Sequence, residues 1–254
     1  MKKYNVITRN DDLSETISQK IKERLADQIL DEDNPTTVFV VGGDGTFLIA
    51  VHQYLDKLDQ INFIAIHTGT LGFFTDYQAE EIDDCLNDYL NKEPQIDKAQ
   101  LLDIDINKQK YYAVNEMRIE NVYKTQMIDV YLDDDFFETF RGTGLCISTQ
   151  LGSTAYNRSL GGAIITKGLP LLQLSEITGI HHHAYRSLGS SIILNGDCHI
   201  TLKGYDYDKA VMCYDHKTID LYDRLSITCY LSDKYVRFAR YKEISYLKRL
   251  NSLF

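Results

Sequence analysis

The sequence predicts a two-domain chain: an α/β N-terminal domain, with a parallel sheet flanked by helices, followed by a β-rich C-terminal domain. Over the first hundred residues, apolar strand-like runs alternate with stretches of helical periodicity, the pattern of a parallel sheet covered on both faces. After Pro94 short strand candidates follow one another with turn residues between them, which reads as an all-β region. The boundary falls near Gln95–Leu101, giving domains at 1–98 and 99–240. A short amphipathic segment, about 241–254, is expected to fold back as a helix on the first domain.

Each element has its own signal. Tyr4–Thr8 reads as a strand, and Ser14–Leu30 as a helix carrying Ile17, Ile21, Leu25 and Ile29 at helical spacing. Asn34-Pro35 breaks the chain before Thr37–Val41, a continuous apolar strand rich in β-branched residues. A helix is predicted over Thr46–Leu55, a buried-type strand over Ile61–His67, a glycine-bearing loop at Thr68–Gly72 and a third helix over Ala79–Leu90. Downstream strands are predicted at Leu101–Ile106, Tyr111–Ile119, Met127–Leu132, Phe136–Arg141, Leu145–Ser148, Ser191–Leu194, His199–Leu202, Ala210–Cys213 and Leu225–Tyr230. Gly152–Gly162 and Leu169–Gly179 interrupt them and read as helix or tight loop.

Composition narrows the partners. The chain has 254 residues and a net charge of −10, which disfavours nucleic acid and anionic membranes, both of which reward a basic surface. A small anionic ligand answers only to local charge and stays open. Neither a signal-peptide core nor about 18 consecutive apolar residues occurs, so a cytoplasmic location is expected. Five scattered cysteines without a CxxC pair read as buried thiols rather than disulfides or zinc ligands. His181-His182-His183 lacks a recognisable ligand spacing, so no metal site in the protein is expected there.

Three stretches carry chemistry. The first, FVVGGDGTFL (Phe39–Leu48), ends a predicted parallel strand in three glycines with an acid among them. Gly42, Gly43 and Gly45 let backbone N–H groups approach a ligand. With Thr46 they form a phosphate loop opening a helix at the carboxyl end of the strand, where open α/β sheets bind ligands. A carboxylate beside a phosphate donor can accept a proton from an attacking hydroxyl or hold a divalent cation on the phosphates. The bland alternative is a glycine turn with Asp44 as helix cap, but neither a Walker loop nor a GxGxxG fingerprint is present. The second stretch is Asn115-Glu116, whose amide and carboxylate suit a base edge or ribose hydroxyls. Two polar residues at a strand junction are, by themselves, usually only solvated. The third, RGTGLCISTQLGSTAYNRS (Arg141–Ser159), offers hydroxyls, the small Ala155 and the aromatic face of Tyr156. It suits a nucleotide held by neutral hydrogen bonds, or, more plainly, a helix capped by Ser153 or Thr154.

Taken together, GGDGT, the Asn-Glu pair and the GSTAYN segment resemble the NAD kinase family, in order and at plausible spacing from about Thr37 to Arg240. The resemblance implies the two-domain fold, with the site between the domains, and transfer of the γ-phosphoryl group of ATP, or of polyphosphate, to the 2′-hydroxyl of the adenosine ribose of NAD. ATP would be co-substrate, with a divalent metal ion, Mg²⁺, on its phosphates. Asp44 would be the catalytic base and Gly45 a backbone contact. Asn115, Glu116, Thr154, Ala155, Tyr156 and Ser159 would bind NAD. Phe73 would stack on adenine, and Ala184 would lie near the nicotinamide side and a subunit contact. Arg141 would partner a phosphate or acid, and Asp215 would approach the site. Thr143 stands where the family usually has an acid, so it keeps a hydrogen bond but no charge. A homo-oligomer, a dimer or tetramer, is implied. The competing functions are a lipid kinase of the diacylglycerol kinase type and a non-catalytic NAD-binding regulator; the charge of −10 and the hydroxyl-rich loop disfavour the first.

Overall fold

The structure, a computed structural model, describes residues 1–69, 72–182 and 187–251. The chain forms two compact units, Met1–Lys98 with Lys234–Phe254, and Ala99–Asp233. In chain order the first unit begins with β1 (Lys3–Thr8), α1 (Asp12–Arg24), β2 (Ile29–Leu30), β3 (Thr37–Val41), α2 (Asp44–Gln53), β4 (Asn62–His67), β5 (Tyr77–Gln78) and α3 (Ile82–Asn91). Its strands pair in parallel, in the order β2–β1–β3–β4, with β5 on β4. Every residue of β3 is buried, as a strand covered on both faces requires. Ile17 and Ile21 of the first helix, with Leu25 just past its end, join Tyr4, Phe39 and Ile64 in one apolar cluster.

Helix α1 starts where Asp11 caps it by accepting the Ser14 N–H. It stops at Arg24, short of the Leu30 that the periodicity suggests. The Ile29 N–H instead reaches the Lys2 carbonyl, and Ile29–Leu30 becomes an exposed edge strand on β1. Pairing across the sheet edge overrides the fourth repeat of the helical spacing. Helix α2 begins two residues earlier than expected, with Gly43 as its N-cap.

The second unit contains most of β6 (Gln95–Ile106), then β7 (Gln109–Ala113), β8 (Glu116–Glu120), β9 (Gln126–Leu132), β10 (Asp135–Ser148), α4 (Tyr156–Ser159), β11 (Leu171–Gly179), β12 (Ile192–Asn195), β13 (Ile200–Gly204), β14 (Val211–Tyr214), β15 (Lys217–Asp220) and most of β16 (Ser226–Arg240). Its strands run antiparallel in the order β15–β14–β8–β10–β9–β13–β16, with β11 also on β10 and β12 on β11. Two-residue turns at Asn107-Lys108 and Asp133-Asp134 place both central residues at φ 51° and 69°, the primed geometry that matches strand twist. The acidic Asp133–Asp135 run is therefore mainly a hairpin tip.

Four sequence expectations change here. Leu171–Gly179 is a strand, because Leu172 and Leu174 alternate into the core while Gln173 and Ser175 face the other way. Phe136–Arg141 and Leu145–Ser148 are parts of one strand, β10. Gly142 and Gly144 lie within it for close approach rather than for a turn. Tyr111–Ile119 divides into β7 and β8, since Val114 and Asn115 give their N–H groups to Asp215. Residues Lys234–Arg240, assigned from sequence to the second domain, belong to the first unit, because β16 runs on until Phe238 pairs in parallel with Phe63 of β4. A last helix, α5 (Tyr246–Asn251), also lies in the first unit. Among the described residues no helix is long and apolar enough to cross a membrane.

Gly144 fixes the distance between β8 and β10, since a Cβ there would sit 1.8 Å from the Ile119 carbonyl oxygen. Gly144→Ala should destabilise the protein by about 2–3 kcal/mol or more, which calorimetry would register as a fall in Tm of roughly 5–10 °C.

Candidate active site

In the first unit the chain leaves β3 at Val41 and enters α2 through Gly42 and Gly43. Gly42 has φ +155°, and a Cβ on it would lie 2.4 Å from Thr46 Oγ1 and 3.1 Å from Arg9 Cβ. This glycine is required by the fold itself. Gly43 and Gly45 differ, because a Cβ on either would meet nothing within 4 Å among the described residues. The helix makes its first backbone bond from the Phe47 N–H to the Gly43 carbonyl. The amides of Asp44, Gly45 and Thr46 thus precede the hydrogen-bonded ladder and end α2 in the partial positive charge of a helix N-terminus.

Asp44 sits in the first turn of α2. Its Oδ2 accepts the Phe73 N–H at 2.9 Å and its Oδ1 the Phe74 N–H at 3.2 Å. Gly72 makes this approach possible, since a Cβ there would fall 2.3 Å from Asp44 Oδ1. Burial pushes the Asp44 carboxyl above the usual carboxylate range, against the two N–H groups and the charges of Arg249 and His67. His67, at the end of β4, is buried, and its Nδ1 lies 2.8 Å from the Gly69 carbonyl oxygen. A carbonyl only accepts, so Nδ1 is the donor. The ring's Nε2 has no hydrogen-bond partner among the described residues. The Phe73 ring is buried, edge-on to Phe74 and Tyr246. What Phe73 contributes to the carboxylate is its backbone N–H.

The second unit gathers the Asn-Glu pair and the GSTAYN segment. Asp215, in the left-handed conformation at the β14–β15 turn, accepts the Val114 and Asn115 N–H groups at 2.7 and 2.8 Å. The Asn115 carbonyl accepts the Thr149 N–H, and Thr149 Oγ1 donates to the Val114 carbonyl. Gly152 fits only as glycine, since a Cβ would lie 2.0 Å from the Asn115 carbonyl oxygen. Beyond it the chain forms one short 3₁₀ turn over Gly152–Thr154 and then α4. Glu116 pairs with Ser148 across the sheet and accepts the Tyr156 N–H. Its carboxyl is pushed up to about 7 by burial first and then by the nearby Asp215 charge, with Arg118 and the Tyr156 N–H acting in opposition. Asn115 Oδ1, Glu116 Oε2 and Ser148 Oγ are buried without a hydrogen-bond partner among the described residues. Buried polar atoms of this kind call for a partner from outside the chain.

Arg118 completes this group and was not apparent from sequence. Its guanidinium lies 3.8 Å from the centroid of the Tyr156 ring and also hydrogen-bonds the Tyr156 side chain. Its Nη1 pairs with Glu120 Oε1 at 2.5 Å. Glu116, Arg118 and Glu120 alternate on one face of β8, a period-2 signal that the sequence NEMRIE displays. Asn157 is fully buried and accepts the Ser175 hydroxyl at 2.7 Å. A Cβ on Gly162 would strike its amide, so Asn157 holds the turn after α4.

The structure brings together Asn115, Glu116, Thr154, Ala155 and Tyr156, with the exposed Ser159 one helical turn beyond Tyr156. Arg141 and Thr143, both half-buried, lie further along the same strand, β10. Ala184, with His183, lies outside the described residues.

Comparison with known proteins agrees with this layout. The family models for the ATP-NAD kinase N-terminal and C-terminal domains match residues 3–94 and 114–240. An NAD kinase of Geobacillus stearothermophilus is 36% identical over 259 residues, covering 99% of this chain and 96% of its own length. NAD kinase 1 of Bacillus subtilis is 36% identical over 99% of this chain and 98% of its own length, and an NAD kinase of Lactobacillus gasseri is 39% identical over 89% and 86%. Two solved structures share the fold. Yeast NADH kinase complexed with NADH has a TM-score of 0.87, 16% identity and coverage of 100% of this chain and 87% of its own. An NAD kinase from Archaeoglobus fulgidus in complex with ATP has a TM-score of 0.80, 20% identity and coverage of 99% and 98%. Matched along nearly its whole length, and carrying the glycine loop and the buried polar cluster described above, the chain belongs to the ATP-NAD kinase family.

Proposed function

We propose that this chain transfers the γ-phosphoryl group of ATP to the 2′-hydroxyl of the adenosine ribose of NAD, giving NADP. The observation that carries this reading is Asp44: a desolvated carboxylate, oriented by two backbone N–H groups, at the open N-terminus of a helix. A ribose hydroxyl is a weak nucleophile near neutral pH and needs both positioning and a proton acceptor. Asp44 takes the hydroxyl proton as the O2′–Pγ bond forms and the bond from Pγ to the β-phosphate oxygen breaks, releasing ADP. Its raised pKa brings the base closer to working pH. The amides at Gly43–Thr46 face the donor's phosphates, where Gly43 and Gly45 leave room for direct approach. Glu116 and Asn115 supply acceptors to the dinucleotide's hydroxyl and amide groups, while Tyr156 offers a ring and Thr154, Ala155 and Ser159 line the loop. ATP is the donor that family membership favours over polyphosphate.

A divalent ion such as Mg²⁺ supplies charge neutralisation on the transferred phosphates. Among the described residues no three His, Cys, Asp or Glu side chains converge as a metal cage. We extend the proposal to a cytoplasmic enzyme assembled from two or four copies.

A coupled assay that responds only to NADP, run with NAD, ATP and Mg²⁺, tests the reading directly. Asp44→Asn should lower turnover at least roughly 100-fold, within the range of general-base catalysis, with NAD still bound in calorimetry. Near-normal turnover in that variant would remove Asp44 as the base. The open glycines give a second test. Gly43→Ala and Gly45→Ala should leave Tm within about 2 °C, because the added methyl meets no atom of the described residues. Both should raise the KM for ATP or lower kcat, and unchanged kinetics would mean that no ligand approaches there.

Glu116 makes binding pH-dependent. Below about 7 the carboxyl is protonated, and above it the charged form is the stronger acceptor for a ribose hydroxyl. The KM for NAD should therefore fall as pH rises from 6 to 8, and Glu116→Gln should flatten that dependence. Arg118→Met removes a charge that favours ionisation, so the midpoint should move above 7. A midpoint that stays put or falls would contradict the assignment.

A further inference from the structure

We propose that the C-terminal helix α5 positions the catalytic carboxylate: Arg249 grips the peptide segment Phe73–Asp76 whose N–H groups hold Asp44. The inference rests on Asp44 being the base, as proposed above, and it assigns a part in catalysis to a helix that no substrate need touch.

Every backbone polar group along this segment that bears on the carboxylate is accounted for within the first unit. The N–H groups of Phe73 and Phe74 go to Asp44, and the Asp76 N–H goes to the Ala65 carbonyl of β4. On the other side of the same peptides, Arg249 Nη1 donates to the Thr75 carbonyl at 2.6 Å and to the Phe73 carbonyl at 3.3 Å. Arg240 Nη1 donates to the Phe74 carbonyl at 3.1 Å. Both arginines close on Asp76: Arg240 Nη1 lies 2.6 Å from Oδ2, and Arg249 Nη2 binds Oδ1. Asp76 and Arg249 are 4% and 7% exposed, so this is a dry ion cluster in which neither charge has water to fall back on. Tyr246, one turn earlier on α5, meets the Phe73 ring edge-on at 5.7 Å.

The segment is therefore held by charge on one side and presents two N–H groups on the other. Arginine is suited to this work, because its planar fork reaches two carbonyls and a carboxylate at once, whereas a lysine ammonium is a single point charge. Removing the fork frees the Phe73 and Thr75 peptides to rotate. Asp44 then loses its orientation, although no atom of Asp44, the glycine loop or the dinucleotide-binding residues has changed. The charged groups that bear on Asp44 are His67 of β4 and Arg249 of α5, and both favour its ionised form.

The test is steady-state kinetics of Arg249→Met and Arg249→Lys in the full-length protein, with kcat, the KM for NAD and the pH profile of kcat. Arg249→Met should lower kcat roughly 10- to 100-fold, the scale of a misplacement near 1 Å, while the KM for NAD stays within about twofold. Its acid limb should move to higher pH, because a charge that lowered the Asp44 pKa is gone. Arg249→Lys should return the acid limb toward wild type while recovering only part of kcat. A wild-type kcat in Arg249→Met overturns the proposal, as does a kcat loss with an unmoved acid limb. If Arg249→Met does not fold, the pair Asp76→Asn with Arg249→Met removes the uncompensated charge and carries the same expectations, so a normal kcat in it is equally fatal. Absence of NADP formation by the unaltered protein would sink the proposed function itself, which separates the two failures.

Discussion

Four consecutive peptides, Phe73 to Asp76, carry the arrangement on which the first unit's chemistry depends. A carboxylate removed from water must be given hydrogen bonds or be neutralised. Asp44 receives two backbone N–H groups, but peptide groups orient a charge only if the peptides themselves are fixed. Two arginines and a second buried carboxylate, Asp76, fix them. Gly72 is the steric counterpart, since any side chain there would displace the carboxylate. Much of the sequence around the glycine loop follows from these few contacts: a parallel strand to deliver Asp44, a neighbouring strand end to deliver Gly72, and a returning tail to supply the arginines.

The second unit treats its buried carboxylate the opposite way. Glu116 accepts one N–H from Tyr156 and lies near Asp215 rather than facing a cation cluster, and one of its oxygens has no partner among the described residues. Its pKa rises to about 7, whereas four favourable neighbours limit the rise at Asp44. The two acids suit different tasks. A base must be ionised and aimed before substrate arrives. An acceptor for a ligand hydroxyl gains by being left incompletely satisfied until the ligand supplies the missing donor.

What could be read from sequence follows the range of the interactions. The alternation of strands and helices, the β-rich second half, the glycine loop and the Asn-Glu and GSTAYN segments are local patterns, and they were legible. The helical periodicity of Ile17, Ile21 and Leu25 was also correct, but Ile29 continues it only numerically, because the edge of β1 competes for its N–H. Gly142 and Gly144 look like a turn, yet they are spacers inside one strand, and only the neighbouring Phe140 and Ile119 reveal it. Asp76, Arg240 and Arg249 carry no local signature, since their partners lie more than 160 positions apart in sequence. Arg118 is intermediate: its alternation with Glu116 and Glu120 is visible, whereas its stacking on Tyr156 depends on where α4 folds back.

The arginine contacts also bear on how an acidic chain meets a polyanionic donor. Arg9, whose Cβ flanks Gly42, pairs with Asp11 at 2.5 Å. Arg240 and Arg249 are committed to Asp76. These three arginines are thus paired with carboxylates, and no lysine follows the glycines as it does in a Walker loop. A loop that met phosphate with fixed positive side chains would also pull on Asp44, lowering its pKa and weakening it as a proton acceptor. Neutral N–H groups at a helix end, with the donor's own counter-ion, stabilise phosphate at less cost to the basicity of the carboxylate beside it. On this argument, the absence of a lysine and the presence of an aspartate among the glycines of GGDGT are one adaptation: the loop gives up side-chain charge so that its carboxylate can remain a base.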